Sequence, residues 1–518
     1  MASRHAAKKV TGYAVGAICF LSVIDMMGCT VGPDFVRPEP LPVKHYTQQA
    51  EPTTTIPADG QAQRFEEGAA VIAEWWRLFN SSKLDDVIKE AVANNQTLQA
   101  AQARLRQSQD NLRAGYGVFY PQVDVGFEAA RLKASQVNIS GTPGSSIFNL
   151  YTLTGTISYA LDVFGGNRRV VESLQAQEDF QRYTVLGTYL ALTGNVVNTV
   201  IAAVTYGAQI EATEQIISAE KEQIEIAEAQ AEAGTVPYMN VLSIKAQMAA
   251  TEATIPQLKQ KLSQAKHLLA ALVGHTPAEW AAPHVDLADL ELPTDLPITL
   301  PSELVRQRPD ILAAEAQLHS ASAEIGVATA ALFPSFTLNG TAGLNNTSIS
   351  DLLKSSGSFW SLGANIAAPL FHGGTLVSQR QAAIDAYEES QANYRQTVLS
   401  AFTQVADTLR ALEHDAETLH AQSQALSAAE EALMLTQANY QAGIANYLQV
   451  LIANGQYHQA KLGYLQALAQ RFQDTVALFI ALGGGWWNAD EKVVGGSGIL
   501  RRFALIASHG SDRRERWR

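Results

Sequence analysis

Residues 375–440 read TLVSQRQAAIDAYEESQANYRQTVLSAFTQVADTLRALEHDAETLHAQSQALSAAEEALMLTQANY. Within this stretch Val398, Val405, Leu412, Leu419, Leu426, Leu433 and Tyr440 recur every seven residues, with no proline or glycine between them. Such a heptad predicts one long helix with a coiled-coil seam. At roughly 1.5 Å per residue the helix reaches on the order of 100 Å, well beyond the width of an ordinary globular domain. Seven residues fall slightly short of two turns, so the seam winds left-handedly about its partner. The same seam stands 209 residues earlier (398 minus 189) at Tyr189, Val196, Ala203, Ile210, Ile217, Ile224 and Ala231. The chain is therefore a tandem duplication, one pseudo-symmetric body rather than a string of domains.

Ahead of each long helix the hydrophobic period drops to two. After Pro121, residues Val123, Val125, Phe127 and Ala129 alternate with Gln122, Asp124, Gly126 and Glu128. Past a loop rich in serine, glycine and proline, Tyr151, Leu153, Gly155, Ile157, Tyr159 and Leu161 alternate with Thr152, Thr154, Thr156 and Ser158. The second half repeats the pattern after Pro334, with Phe336, Leu338 and Ala342, then Trp360, Leu362, Ala364 and Ile366, set against polar neighbours. Strands are expected at about 122–132, 150–162, 335–345 and 358–369. Each has one apolar and one polar face. Sheet that crosses a bilayer must close into a barrel, because an open edge leaves backbone groups unpaired in hydrocarbon. About eight strands is the minimum for closure, so four per chain require several copies, and three copies make twelve.

The remaining pattern predicts helices from about Leu84 to Val118, Met239 to Leu272 and Ser302 to Leu332, and a return helix after Tyr447 that ends at Gly483. Glycine-led turns at 234–238 and 443–447 close the ends of the two long helices. Domain boundaries follow: a signal at 1–28, an extended segment at 29–80, a first repeat at 81–275, a linker at 276–301, a second repeat at 302–485 and a tail at 486–518. Trp75, Trp76 and Phe79 are expected to pack a core.

The N-terminus carries Arg4, Lys8 and Lys9, an apolar run from Val10 to Ile24, and Gly28-Cys29, the pattern of a secretory signal ending at a cysteine. Cys19 lies within the signal, which leaves Cys29 without an intramolecular disulfide partner. Past the signal no uncharged apolar run of ~18 residues is expected, so any crossing is by strands. The formal net charge of -13 and the lack of a basic stripe in the helical body argue against nucleic acid as a partner. The tail does hold Arg501, Arg502, Arg513, Arg514, Arg516 and Arg518.

No reaction chemistry is legible. HExxH, CxxC, G-x-S-x-G and Walker motifs are absent, and His319, His414, His420 and His458 stand on helices without ligand spacing. The expectation is no catalytic residue, no metal and no cofactor beyond a covalent lipid on Cys29.

Several stretches together resemble the outer membrane factors of tripartite efflux systems, TolC-like proteins, and among them the NodT-type lipoproteins. They are Gly28-Cys29-Thr30-Val31-Gly32-Pro33-Asp34, Trp76 through Leu105, Arg306-Gln307-Arg308-Pro309-Asp310-Ile311, Leu370-Phe371-His372-Gly373-Gly374 and Tyr440 through Leu451. The resemblance implies a mainly α fold with a small β part. Long antiparallel coiled-coil helices form a periplasmic α-barrel, four strands per chain enter a trimeric twelve-stranded outer-membrane β-barrel, and an equatorial belt surrounds the helices. It also implies lipidation at Cys29, anchorage in outer membrane lipid, and function as the exit duct of an efflux pump. The implied partners are a periplasmic adaptor protein and an inner-membrane RND-type transporter. The channel of a type I protein secretion system stays open as an alternative, and a structural periplasmic coiled coil less so. Gly234, Thr235, Val236, Pro237 and Tyr238, with Gly443, Ile444, Ala445, Asn446 and Tyr447, are the expected adaptor-docking tips. The family's acidic aperture positions fall on Gln449 and Ile452 and, through the internal repeat, on Asn240 and Ser243, none of them charged. An aperture sealed mainly by apolar contact is therefore expected, with Tyr440, Gln449 and Ile452 nearest the axis and Gln449 free to bond across chains.

Overall fold

The computed structural model describes residues 30–40, 42–48, 52–136 and 144–488. The expected signal, Cys29 and the tail beyond Asn488 lie outside the described residues. The chain divides into two compact units.

The first unit comprises segments up to Pro38, Leu105–Gln181 and Ala314–Tyr394. Its centre is a four-stranded antiparallel sheet of β2 (Gln122–Gln136), β3 (Gly144–Leu161), β5 (Ser335–Asn346) and β6 (Ser358–Ala367), in that order. Each half of the duplication supplies one hairpin. Register places Val123 opposite Ile157, Ile157 opposite Gly340 and Gly340 opposite Leu362, so Val123, Ile157 and Leu362 share one face, while Phe359, opposite Gly343, stands on the other. At the foot of the sheet the segment after Cys29 is pinned. The Val31 N–H donates to Phe164 O at 3.0 Å, and the Arg169 guanidinium reaches Val31 O at 3.2 Å and Asp34 Oδ1 at 2.7 Å. Glu172 Oε2 accepts a further bond from Arg169 at 2.7 Å, and its other oxygen lies 2.9 Å from His319 Nε2. Gly32 permits this approach, since a Cβ there would lie 2.4 Å from Gly326 Cα.

The second unit comprises Glu39–Arg104, Arg182–Ala313 and the segment from Arg395 on. Its helices include α1 (Ser82–Asn94), α4 (Tyr238–Glu252), α5 (Ile255–Val273), α6 (Pro301–Gln307) and α9 (Tyr447–Ala481). Helices α2 (Gln96–Gly115), α3 (Gly166–Glu232), α7 (Pro309–Ala330) and α8 (Thr375–Gln441) contribute residues to both units. The duplication is exact in length where it matters: α3 and α8 each run for 67 residues. Val398, Val405, Leu412 and Leu419 of the seam are buried, as are Tyr189, Val196, Ile210, Ile217 and Ile224 of its counterpart. Contrary to the expectation that no apolar run remains, α3 contains an 18-residue window with mean hydropathy 1.4, of which 67% is buried inside the protein. That apolarity serves packing of the helix bundle.

Three expected helices are each broken in two. Asn95 interrupts the first with extended torsions, φ −61° and ψ 123°. Its Oδ1 accepts the Leu98 N–H and its Nδ2 donates to Leu272 O, both at 2.9 Å, so one side chain caps α2 and ties it to α5. Pro256 breaks the second, because its ring would meet the carbonyl of Glu252, where α4 stops. Arg308 is driven extended by Pro309 and separates α6 from α7. The buried Arg308 side chain then bonds Ala481 O at 2.7 Å, closing the C-terminus of α9.

The segment expected to be an extended tether includes a short strand. β1 (Arg64–Glu67) pairs in parallel with β4 (Asp295–Ile298), joining the N-terminal segment to the linker between the repeats. Glu67 is followed by the Trp75, Trp76 and Phe79 cluster, which is buried; Trp75 stacks on Phe479 with ring centroids 5.4 Å apart. Arg471, fully buried on α9, holds the strap ahead of β1: its guanidinium donates to Gln63 Oε1 at 3.0 Å, Gln61 O at 3.3 Å and Thr55 Oγ1 at 3.4 Å.

Candidate functional site

Two features carry the candidate function: the helical tips in the second unit and the two-faced sheet in the first. Each tip begins with a glycine in the left-handed region, Gly234 at φ +70° and Gly443 at φ +74°. The N–H of the following residue closes back on the helix, Thr235 to Gln230 O at 2.9 Å and Ile444 to Asn439 O at 2.8 Å. This is the Schellman arrangement, and glycine adopts its torsions without the Cβ penalty. Pro237 then precedes α4, while Asn446 starts α9 with a capping box.

That box decides the place of Gln449. Its Oε1 accepts the Asn446 N–H and its own N–H donates to Asn446 Oδ1, both at 3.1 Å. The side chain expected to bond across chains is therefore engaged within its own tip, because the helix start needs its orphan donors satisfied. Tyr447, expected on the docking surface, is only 5% exposed and packs with Ile224, Ala227, Val241, Ile244 and Val450. Its ring meets Tyr440 edge-on at 5.6 Å, and the Tyr440 hydroxyl donates to Gln230 Oε1 at 2.7 Å. Burial raises the pKa of both tyrosines above the ordinary phenol.

Ile444 and Tyr238 are exposed at 78% and 60%, and Val236 and Ala445 are half-buried. Ile452 is 53% exposed rather than packed in its own seam. Asn240 is half-buried in the first turn of α4, its N–H on Pro237 O at 3.0 Å. Sequence reading missed Met239, Leu242 and Leu448, which are exposed beside these residues. The signal was present: Leu448 and Ile452 stand one turn apart on α9, and so share a face.

Between the hairpins, buried Glu220 of α3 accepts a bond from Asn454 Nδ2 of α9 at 3.0 Å and one from Thr251 Oγ1 of α4 at 3.4 Å. Its Oε2 has no partner among the described residues, and burial raises its pKa. Among the described residues no three His, Cys, Asp or Glu side chains cluster as they would to hold a metal ion.

In the sheet, register pairs Gln122 with Ser158, Asp124 with Thr156, Thr154 with Gly343, and Thr341 with Ser361, which sets the polar residues on one face. On the other face Val123, Val125, Phe127, Ile157, Leu338, Trp360, Leu362 and Ile366 are exposed in the single chain. A face this apolar cannot remain in water. Strands β2 and β6 end the sheet, each with one unpaired edge.

A model described as outer membrane efflux protein matches the chain twice, over residues 87–275 and 300–484, one match to each repeat. The chain belongs to the outer membrane efflux protein family. Among its relatives, a pyoverdine export outer membrane protein of Pseudomonas aeruginosa is 31% identical over 426 residues, covering 81% of this chain and 88% of its own. Nodulation protein T of Rhizobium leguminosarum bv. viciae is 28% identical over 466 residues, covering 89% and 92%. The solved outer-membrane channel OprN superposes with a TM-score of 0.80 at 28% identity, over 88% of this chain and all of that one. Members of this efflux family are channels, and the chain has their duplicated TolC-like fold. It is an outer-membrane exit duct of an efflux pump.

Proposed function

We propose that three copies of the chain close one twelve-stranded barrel in the outer membrane, through which small molecules pass by passive conduction. The observation that carries this reading is the four-stranded sheet itself, with two open edges, one apolar face and one polar face. Edge β2 of one copy pairs with edge β6 of the next, apolar residues meet lipid, and the polar face lines the duct. Acylation of Cys29 anchors each copy; the pinning of Val31 to Phe164 supports this, since it holds the residues after Cys29 at the foot of the sheet. At the tips, exposed Tyr238 and Ile444 dock a periplasmic adaptor that links the duct to an inner-membrane RND-type transporter. The resting aperture closes by apolar contact at Ile452, with Tyr440 holding the tips together.

Native mass spectrometry in detergent gives three chains per particle, and the particle conducts in a planar bilayer. A stable monomer with full β content overturns the reading. Ile444→Asp abolishes export while trimers persist; undiminished export removes the tip from the docking surface. Ile452→Ala raises open probability, and parent-like conductance removes Ile452 from the aperture.

A further inference from the structure

The β2–β3 hairpin outruns its neighbour. β5 stops at Asn346, which pairs with Tyr151, so from Leu150 onward β3 has only β2 beside it. Over this projecting ribbon the alternation of β2 reverses. Arg131 and Lys133 continue the face of Val125, Phe127 and Ala129, whereas Ala130 and Leu132 continue the polar face, opposite Leu150 and Phe148. On β2 the apolar side chains have moved to the polar face and two cations to the other, while Ile147 of β3, opposite Lys133, stays exposed on the cations' face.

Their height follows from the strand. Ten residues separate Leu161 from Tyr151; at roughly 3.4 Å each, and with a tilt of about 40°, they span on the order of 26 Å along the membrane normal. This matches an apolar band of about 25 Å. Arg131, opposite Asn149, is the next residue on that face above Ala129 and Tyr151, and Lys133 follows one pleat higher. Both are exposed, and neither is ion-paired among the described residues, in contrast to Lys354, whose Nζ lies 2.6 Å from Asp351. No carboxylate shares this face of the ribbon, because Asp124 and Glu128 belong to the opposite one.

We propose that Arg131 and Lys133 form a cationic cradle for the phosphate-bearing headgroup of an outer-leaflet glycolipid. The inference rests on the reading that the apolar sheet face meets lipid. Two unpaired cations immediately beyond the apolar band meet a layer of fixed negative charge, and the guanidinium offers the planar fork that suits phosphate. Edge protection alone would not require Ala130 and Leu132 of β2 to occupy the other face.

The test uses the full-length protein in phosphatidylcholine nanodiscs with or without bis-phosphorylated lipid A. After detergent extraction, native mass spectrometry counts retained lipid A. The parent retains it; R131Q/K133Q loses on the order of tenfold, while charge-keeping R131K/K133R retains it. Fully dephosphorylated lipid A is not retained, and excess inorganic phosphate does not displace the bound glycolipid. Equal retention by parent and R131Q/K133Q overturns the proposal, as does loss in R131K/K133R or complete displacement by free phosphate. Conductance of the parent in phosphatidylcholine alone separates the two readings: its failure counts against the duct, whereas retention counts only for or against the cradle.

Discussion

The Tyr440 hydroxyl donates to Gln230 Oε1 at 2.7 Å, joining the last turns of α8 and α3 directly above the tips. It is a direct side-chain link between the ends of the two long helices, and the edge-on contact with Tyr447 orients its ring. Tyr440→Phe keeps the packing and removes the bond. A half-exposed neutral hydrogen bond contributes about 1 kcal/mol. The expected result is an open probability raised roughly fivefold in single-channel recordings, with trimer stability unchanged. An unaltered open probability would show that the tips stay paired without this bond.

Arg471 carries a larger share of stability. It is fully buried and supplies donors to Gln63, Gln61 and Thr55 of the strap. Arg471→Met keeps the volume and leaves those acceptors unpaired in the interior. The loss is on the order of 3 kcal/mol. Limited proteolysis should show earlier cleavage within residues 52–63, and a parent-like digestion pattern would refute the anchoring role.

The same region titrates. Burial, and then the neighbouring Asp474, push the Asp415 carboxyl up to about 8, offset in part by Arg471. The folded protein thus holds a proton that the unfolded chain releases at the ordinary carboxylate pKa of about 4. Its contribution to stability is full below pH 4 and falls as pH rises through the window to about 8. Asp415→Asn keeps the neutral form at every pH, so the midpoint of thermal unfolding should decline less between pH 5 and 8 than in the parent. Parallel profiles would place the titration elsewhere.

The period-seven and period-two patterns made the fold legible because each reports a single buried face. Tip position was equally plain, since only Gly234 and Gly443 punctuate the long helices where they turn. What escaped was local competition. Asn95 sits amid good helix formers and breaks the helix by capping the next one. Tyr447 follows a glycine-led turn and looks exposed, yet its ring completes a core drawn from α3 and α4. Gln449 reads as a free polar side chain until Asn446 begins a helix three residues earlier. In each case the deciding partner is either a helix start or a distant residue, which hydrophobic period does not encode. Arg131 and Lys133 were overlooked for another reason: reading alternation as apolar against polar stopped at Ala129, just before the pattern of β2 reversed.

The polar face of the sheet is acidic. Aligned aperture positions are uncharged, but the polar face of the sheet holds Asp124 opposite Thr156 and Glu128 opposite Thr152, with no arginine or lysine among the described residues of that face. In a barrel of three copies these carboxylates form two acidic rings, which favour cations. Reversal potentials across a salt gradient should therefore show cation preference at low ionic strength. The preference should weaken toward 1 M salt, where the screening length shrinks to about 3 Å. Asp124→Asn with Glu128→Gln should move the reversal potential toward zero without changing trimer stability, because neither residue supports the apolar face. An unchanged reversal potential would mean that the polar face does not line the path of the ions.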